Sequence, residues 1–489
     1  MTLEPLVDGP AWTGSGIHES GGRYPLRVEG AVSSIVGRLL PGVITTTRHA
    51  RMYGVHTLAW SVAHERKLEP EPAAEFVRRC EVVIAGIHHY HEPHRVTLSS
   101  AHGESDLYRF IADDQLDVAA AAQRHGLSVA GFANVYYGLC VAIGALAPGS
   151  DPRPGERADM NALREDLGDL LELAERPSLS VDELREAKHL CLCEAAPCSD
   201  GRWLRNVLVE DVDDRPDDRH RQLTCVLLLE ALRDAPSPDA TSAFRNRWAF
   251  GPPEGDAESD ERAMVAALWR AASLRNFSVG AWRALWRWLT AQLAVEPMTA
   301  QQLGDRFADA LEDLSVSELL DGLPTRTDGP SILPAEVVLA EEEETPTRWV
   351  RQLAVGASRL DDLDGPTLAA YVGSDPTDLG PRWVAGLLGE ARERHIRDVA
   401  RELAVILVRR AQRVALSKMY LTTDGRPFVP TRLHDRDGIL SVRGEEGAGD
   451  VALRISSLAA VLAGLGYLNH DDGTFTVAAP GEELLARLC

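Results

Sequence analysis

The chain is poor in lysine. Three lysines, at positions 67, 188 and 418, stand among 51 basic residues, and the rest are arginine. An arginine excess of this size is typical of a bacterium with a GC-rich genome. We therefore assign no function to the arginine content itself and give weight only to local surpluses of charge.

Positive charge is scarce over the chain as a whole. The 51 basic residues face 74 acidic residues, which leaves a formal net charge of −23 at pH 7. A protein that coats nucleic acid with its whole surface is excluded, so any such contact must be a local patch. The 45% hydrophobic content is ample for sizeable cores, and 489 residues predict three or four domains.

Long apolar runs are also lacking. Leu127–Ala147 has no charge, but it contains Gly131, Asn134 and Gly138, so it predicts a buried helix and not a membrane span. Met1–Pro10 has neither the basic start nor the apolar core of a signal peptide. Seven unevenly spaced cysteines favour a reducing compartment. We expect a cytoplasmic protein without membrane contact.

The motifs of common catalytic sites are missing. The sequence has no phosphate-binding Gly-x-x-x-x-Gly-Lys-Ser/Thr loop, no Gly-x-Gly-x-x-Gly between a strand and a helix, and no Gly-x-Ser-x-Gly elbow. Carboxylates are so plentiful that no pair stands out as general acid and base. The sequence predicts no catalytic residues and no cofactor.

A histidine cluster, His88–His94, is the first of two candidate metal sites. Its sequence, His-His-Tyr-His-Glu-Pro-His, resembles the His-x-His-x-Asp-His motif of metallo-β-lactamase-fold hydrolases. That resemblance implies histidines at the end of a strand that hold zinc. Pro93 stands where the motif has aspartate, so we expect a polar, partly exposed loop, and a metal-dependent hydrolase stays as an alternative.

A cysteine cluster is the second candidate. His189, Cys191, Cys193 and Cys198 lie within ten residues, whereas zinc sites commonly take two pairs of ligands from separate elements. If one helix begins at Ser180 and runs through Cys193, His189 and Cys191 point to different sides. We expect buried cysteines and no bound metal.

Helix signals are frequent through most of the chain. Thr45-Thr46-Thr47 predicts the cap of a helix that runs to about Glu65, and Glu71-Pro72 predicts the start of the next helix. Capping boxes and a buried aromatic stripe are predicted from spacing alone: Ser180 with Glu183, Thr299 with Gln302, Ser315 with Glu318, and the stripe Trp282, Leu285, Trp286, Leu289 and Leu293.

The segment Leu40–Tyr53 carries a Leu-Pro-Gly turn, three threonines, and then Arg48, Arg51 and Tyr53. It resembles the opening of uncharacterised bacterial proteins found in antiphage (antiviral) defence clusters. The resemblance covers some fifteen residues. It implies association with larger defence proteins and brings no catalytic residues with it.

A basic helix is predicted near the C-terminus. Arg382–Lys418 contains no proline and has apolar residues at helical spacing, which predicts one helix about 55 Å long. The surrounding stretch has a surplus of basic residues, and Arg409, Arg410 and Arg413 are its candidates for contact with phosphate or with a partner.

The last residues resemble a winged helix, which is a helix, a hairpin wing and a closing helix. We predict a helix at Val451–Ala463, a strand at Tyr467-Leu468, a turn at Asp471-Asp472-Gly473, a strand at Thr474–Val477 and a helix at Glu482–Leu488. Winged helices bind DNA or protein. Arg454, Ser456 and Ser457 are the candidates for base or partner contact.

Together these patterns predict a mainly α, multidomain protein with a C-terminal winged-helix (α+β) module. The predicted domains are 1–150, 160–322, 335–420 and 421–489. The functional hypothesis is a non-catalytic adaptor or scaffold in a bacterial defence or DNA-transaction complex, with protein partners and, in one alternative, double-stranded DNA. A sequence-specific DNA-binding regulator and a metal-dependent hydrolase at His88–His94 are the alternatives. The acidic wing tip favours protein contact.

Overall fold

The computed structural model describes residues 24–91, 101, 104–128, 132–149, 152–211, 216–252, 255, 260–324, 334–375, 379–422 and 425–488. The fold is mainly helical, as predicted. The α-helices are α1 Gly30–Leu39, α2 Arg51–Glu65, α3 Pro70–Tyr90, α4 Glu104–Leu107, α5 Val118–Ser128, α6 Phe132–Ala142, α7 Met160–Glu175, α8 Val181–Glu186, α9 Ser199–Arg205, α10 Pro216–Asp234, α11 Ala240–Trp248, α12 Glu261–Val295, α13 Ala300–Asp309, α14 Val316–Asp321, α15 Ala335–Glu341, α16 Pro346–Ser358, α17 Gly365–Val372, α18 Pro381–Glu390, α19 Ile396–Ser417, α20 Ile455–Gly464 and α21 Ala479–Leu488.

The strands are short, and each pairing is antiparallel. β1 pairs with β2, which pairs with β3, and the other strands form two-stranded hairpins in chain order. Within the part of the chain that the structure describes, no helix is long and apolar enough to cross a membrane. The strands are β1 Ile111–Ala112, β2 Gln115–Asp117, β3 Ser178–Ser180, β4 Tyr420–Leu421, β5 Pro427–Phe428, β6 Leu433–Arg436, β7 Ile439–Val442, β8 Leu468–Asp471 and β9 Thr474–Val477.

The chain forms two compact units. One contains Met1–Ile35 and Trp248–Ala452, and is called the α12 unit here. The other contains Val36–Arg247 and Leu453–Cys489, and is called the α3 unit. These units do not follow the four predicted segments, because residues 1–150, 160–322 and 421–489 each contribute to both.

The α12 unit is built around its longest helix. The predicted stripe is confirmed, since Trp282, Leu285, Trp286, Leu289 and Leu293 are all buried on α12. Helices α16 and α17 pack along α12, and α13 packs against α19. The fully buried Trp282 donates a hydrogen bond from Nε1 to the carbonyl oxygen of Leu379 at 2.9 Å, which joins α12 to the segment before α18.

The three predicted capping boxes are confirmed. In each, the side chain of the cap accepts from the backbone N–H three residues on, and the acid or amide there accepts from the N–H of the cap. The pKa of Glu318 is lowered because the backbone N–H and then the hydroxyl of Ser315 hydrogen-bond to its carboxylate. Capping is a local device, so spacing within four residues was enough to predict it.

Replacing Ser315 by alanine is expected to lower the free energy of unfolding of the α12 unit by about 1 kcal/mol, because the N–H of Glu318 loses its acceptor. Urea unfolding followed by tryptophan fluorescence measures this. Ser317→Ala, two residues on in α14, is the matched control and is expected to change stability by less than about 0.5 kcal/mol. Equal losses in the two variants would contradict the capping role.

The predicted single helix Arg382–Lys418 is wrong, because the chain forms α18 and α19 with a break between Glu390 and Ile396. At the break, the carbonyl oxygens of Arg392 and Arg394 accept from the N–H groups of Ser317 and Val316. Tertiary hydrogen bonds thus replace those that would continue the helix. The 22 residues of α19 extend about 33 Å and not 55 Å.

The α3 unit is built from α2, α3, α7 and α9, with α5 and α6 beside them. Helix α3 begins at Pro70, close to the prediction. The predicted threonine cap of α2 is wrong, because α2 begins at Arg51. Thr47 instead closes a turn: its hydroxyl accepts from the N–H of Ile44 and donates to the carbonyl oxygen of the same residue, each at 2.9 Å.

The C-terminal elements α20, β8, β9 and α21 occur in the predicted order. The turn is confirmed, with Asp472 and Gly473 at φ of 49° and 77° between β8 and β9. The helix begins at Ile455 and not at Val451, because Arg454 takes a left-handed conformation just before it. Phe475 pairs through its backbone with Ser237, and α21 packs on α10. The small antiparallel hairpin β8–β9 between α20 and α21 is compatible with a winged-helix-like module.

Candidate functional site

Gly42, Arg51 and Tyr53 of the segment 40–53 are buried in the α3 unit. Gly42 has φ of 78°, and a Cβ there would lie 2.6 Å from Cγ2 of Ile143, so glycine is required twice over. The hydroxyl of Tyr53 donates to the carbonyl oxygen of Gly42 at 2.5 Å, which closes the loop onto α2. The motif that resembles defence proteins therefore has a packing role in this chain.

Arg51 is the central polar residue of this region and is fully buried. Its Nε donates to Oδ2 of Asp200 at 2.8 Å, and its Nη1 donates to the carbonyl oxygens of His189 and Cys191 at 2.6 and 2.8 Å. Burial raises the pKa of Asp200, and the charge of Arg51 acts in the opposite direction. One guanidinium thus ties α2 and α9 to the backbone on both sides of Leu190.

The cysteine cluster does not lie on one helix, so that prediction is wrong. Helix α8 ends at Glu186, and 3-10 turns follow at Ala187–Leu190 and Leu192–Glu194, with Cys191 in a non-helical conformation between them. Two carbonyl oxygens of this segment accept from Arg51, which competes with continued helical hydrogen bonding. Leaving the helix directs the thiols of Cys191 and Cys193 to the same side, where their Sγ atoms lie 3.1 Å apart.

Two histidines of the other predicted cluster meet these thiols. Nδ1 of His91 lies 3.2 Å from Sγ of Cys193, and Nδ1 of His88 lies 3.1 Å from Sγ of Cys191. The ligand atoms of His91, Cys191 and Cys193 all lie within 4.8 Å of one another. The two predicted clusters are therefore one site, formed by segments about a hundred residues apart.

The predicted loop at His88–His94 is wrong in its first part. His88 and His89 lie in the last turn of α3 and are buried, and His91 follows the helix. Nδ1 of His89 is 2.9 Å from Oε1 of Glu104. Residues 92–94 lie outside the described residues. The strand that the hydrolase motif requires is replaced by a helix here.

The two thiols are electrostatically coupled. Their mutual hydrogen bond lowers the pKa of Cys193 and raises the pKa of Cys191, and burial adds to the rise at Cys191. Cys191 is buried, whereas Cys193 and His91 are half-buried, so the site reaches the surface on one side. His189 lies apart from the thiols: its ring faces solvent, with Nε2 at 3.1 Å from Oδ2 of Asp169.

A second group of potential ligands, Asp166, Cys198 and Asp200, also lies within 4.8 Å. The charge of Asp200 is already balanced by the guanidinium of Arg51, which contacts its carboxylate at 2.8 Å. The thiol of Cys198 donates to the carbonyl oxygen of Glu194, and burial raises its pKa. This group is an anchor for Arg51 and is the weaker candidate for a cation.

A cavity in the α12 unit has a volume of about 310 Å³. Its charged lining residues pair with one another: Arg283 lies 3.5 Å from Glu29, and Arg432 lies 3.3 Å from Glu446. Burial raises the pKa of both carboxylates. The charges of the lining are thus balanced internally.

The predicted contact residues of α19 fall into two groups. Arg410 is buried, and its Nε donates to the carbonyl oxygen of Leu26 at 2.6 Å. Arg413 is exposed, and Arg409, one turn earlier, is half-buried. Their part in binding stays a prediction, and Arg413 is the most accessible of the three.

The predicted contact residues of α20 are also divided. Nη1 of Arg454 donates to the carbonyl oxygen of Val43 at 2.9 Å, and the hydroxyl of Ser457 donates to the carbonyl oxygen of Thr45 at 3.1 Å. Burial lowers the pKa of Arg454. Ser456 is exposed. Base contact by Arg454 or Ser457 stays a prediction, and it would require each side chain to leave its present partner.

One surface was missed by the sequence analysis. Met419, Tyr420 and Leu421, at the end of α19 and in β4, expose 52%, 54% and 69% of their surface. The ring of Tyr420 packs on that of Phe428 in β5, with centroids 5.1 Å apart. The sequence Met-Tyr-Leu directly after a basic helix was the pattern from which this surface could have been predicted.

Comparison with known proteins finds no matching family model, no similar curated protein and no similar solved structure.

Proposed function

We propose that this protein is a non-catalytic adaptor or scaffold subunit of a bacterial defence or DNA-transaction complex in the cytoplasm. The observation that carries the proposal is the exposed apolar run Met419-Tyr420-Leu421. Three adjacent large apolar side chains at more than half exposure are unusual on a solvated surface, and such patches are typical of protein contacts. The class of complex is suggested by the resemblance of residues 40–53 to defence proteins.

The surroundings of this run favour an acidic protein partner. Arg413 and Arg426 are exposed near it along the chain, in a protein whose net charge is −23. An apolar centre with a cationic rim fits a protein surface that offers an apolar pocket and a carboxylate rim. Aromatic and methionine side chains are enriched in such interfaces.

The same residues give a weaker case for DNA. Apolar side chains gain nothing from phosphates, and Arg454 and Ser457 are engaged with Val43 and Thr45. In addition, Asp471 and Asp472 are exposed at the predicted wing tip and repel phosphate. We propose that α20 to α21 form a winged-helix-like module that serves protein contact, and we rank the DNA-binding regulator second.

The proposal is tested by co-expression with the products of the genes next to this one, followed by size-exclusion chromatography with light scattering. We expect a stable complex, and we expect the double variant Met419→Ser/Leu421→Ser to weaken it by at least tenfold in Kd. Val295→Ser is the matched control, because Val295 is 87% exposed and also lies in the α12 unit. A Kd that changes as little in the double variant as in the control would contradict the proposal that this surface binds the partner.

Binding to duplex DNA distinguishes the second candidate. The full chain is titrated with duplex at two salt concentrations, as wild type and as Arg409→Glu/Arg413→Glu, with Arg306→Glu as a control at an exposed arginine. The adaptor proposal expects weak binding at best. Tight, salt-sensitive binding that is lost with Arg409→Glu/Arg413→Glu and kept with Arg306→Glu would favour the DNA-binding regulator.

A further inference from the structure

We propose that His91, Cys191 and Cys193 bind a Zn²⁺ ion in the α3 unit. This inference is independent of the adaptor proposal, since it concerns a site in the other unit. It reverses the expectation of a metal-free protein, which assumed that the cysteines share one helix with His189. The structure brings His91 to the thiols in place of His189.

The donor atoms are close to the geometry that zinc requires. With Zn–S near 2.3 Å and Zn–N near 2.0–2.1 Å, tetrahedral ligands lie about 3.8 Å apart for two sulfurs and about 3.6 Å apart for sulfur and nitrogen. The observed separations are 3.1 Å between the Sγ atoms and 3.2 Å from Nδ1 of His91 to Sγ of Cys193. These two separations need to open by roughly half an ångström to accept the ion.

The chemistry of the ligands selects the metal. Two thiolates and one imidazole are a soft donor set, which suits zinc and disfavours magnesium and calcium. The 3.1 Å between the Sγ atoms is far longer than a disulfide bond, so both sulfurs remain available as ligands. Binding replaces the thiol protons of Cys191 and Cys193 and releases them to solvent, with no change of oxidation state.

The fourth position lies toward the surface, next to Glu194. Oε1 of Glu194 is 3.8 Å from Sγ of Cys193 and 3.9 Å from Nε2 of His91. The carboxylate is thereby placed beside the ligands, outside the group of three, where it can orient a water in the fourth position. The half-exposed side of the cluster, at Cys193 and His91, gives the ion its entry path.

Residues around the ligands hydrogen-bond to them or to their backbone segment. Arg51 holds the carbonyl oxygens of His189 and Cys191, which fixes the segment that carries both cysteines. Nδ1 of His88, 3.1 Å from Sγ of Cys191, can donate a hydrogen bond to the thiolate. Such second contacts orient metal ligands and tune their basicity. The ion would tie the end of α3 to the segment between α8 and α9.

The test is elemental analysis of the full chain, purified without chelator and without a metal-affinity tag. We expect about one zinc per chain in the wild type. We expect at least a tenfold loss of bound zinc in Cys191→Ser, Cys193→Ser and His91→Ala. Cys198→Ser and His189→Ala are the matched controls, because both residues belong to the same sequence cluster but lie outside the three ligands, and they are expected to keep the metal.

A second measurement uses none of the ligand variants, so it remains informative if those variants fail to fold. Wild type and Cys198→Ser are stripped of metal and titrated with Co²⁺, which is expected to give thiolate-to-cobalt charge-transfer absorption and tetrahedral ligand-field bands. Restoring Zn²⁺ at about 1,000 times its Kd is expected to raise Tm by roughly 8–16 °C.

The result that overturns the proposal is wild-type protein with less than about a tenth of a zinc per chain after refolding with Zn²⁺ and with no cobalt–thiolate absorption. Zinc that persists in Cys193→Ser and His91→Ala, or that is lost in Cys198→Ser or His189→Ala, would place the ion elsewhere and would also overturn it.

Discussion

Replacing Arg51 by methionine is expected to lower the free energy of unfolding of the α3 unit by about 3–5 kcal/mol. The substitution keeps most of the side-chain volume but leaves the carboxylate of Asp200 buried beside no cation, since both partners are fully buried. It also removes the donor that serves the carbonyl oxygens of His189 and Cys191. Urea unfolding followed by circular dichroism measures the loss.

Arg48→Met is the matched control, because Arg48 lies three residues earlier and is exposed. It is expected to change stability by less than about 0.5 kcal/mol. The double variant Arg51→Met/Asp200→Leu is expected to recover part of the loss, because it removes the uncompensated charge and leaves only the two carbonyl oxygens without their donor. If Arg51→Met unfolds like Arg48→Met, the central role of this guanidinium is wrong.

Replacing Trp282 by alanine is expected to lower the free energy of unfolding of the α12 unit by about 3–5 kcal/mol. The side chain is 2% exposed, so its removal opens a cavity along α12, and the carbonyl oxygen of Leu379 loses the indole donor. Chemical unfolding followed by circular dichroism measures the change without depending on the tryptophan that is removed.

Two variants separate packing from hydrogen bonding at this site. Trp282→Phe keeps an aromatic ring but loses the Nε1 donor, and it is expected to lower stability by about 1–3 kcal/mol. Trp288→Ala, at a half-buried tryptophan on the same helix, is expected to lower stability by less than half as much as Trp282→Ala. Similar losses for Trp282→Ala and Trp288→Ala would show that the deeper burial of Trp282 does not account for the loss in the free energy of unfolding.

Local patterns were sufficient for much of the secondary structure. The stripe from Trp282 to Leu293 was predicted because one face of a helix repeats every three to four residues. The cap at Ser315 was predicted because its partners lie within one turn. The turn at Asp472-Gly473 was predicted because both residues adopt positive φ readily. In each case the interacting groups are neighbours in sequence.

The sequence alone determined that the protein is mainly helical, where the three capped helices α8, α13 and α14 begin, and that the Gly-x-x-x-x-Gly-Lys-Ser/Thr motif is missing. Tertiary structure decided the break before Ile396, because the N–H groups that hold it, those of Val316 and Ser317, belong to α14. It also turned Arg410 and Arg454 toward carbonyl oxygens of distant segments. Finally, it brought His91 to Cys191 and Cys193, where the backbone between α8 and α9 leaves the helix and its carbonyl oxygens accept from Arg51. Contacts across some hundred residues depend on how helices pack, and no spacing rule within one segment encodes them.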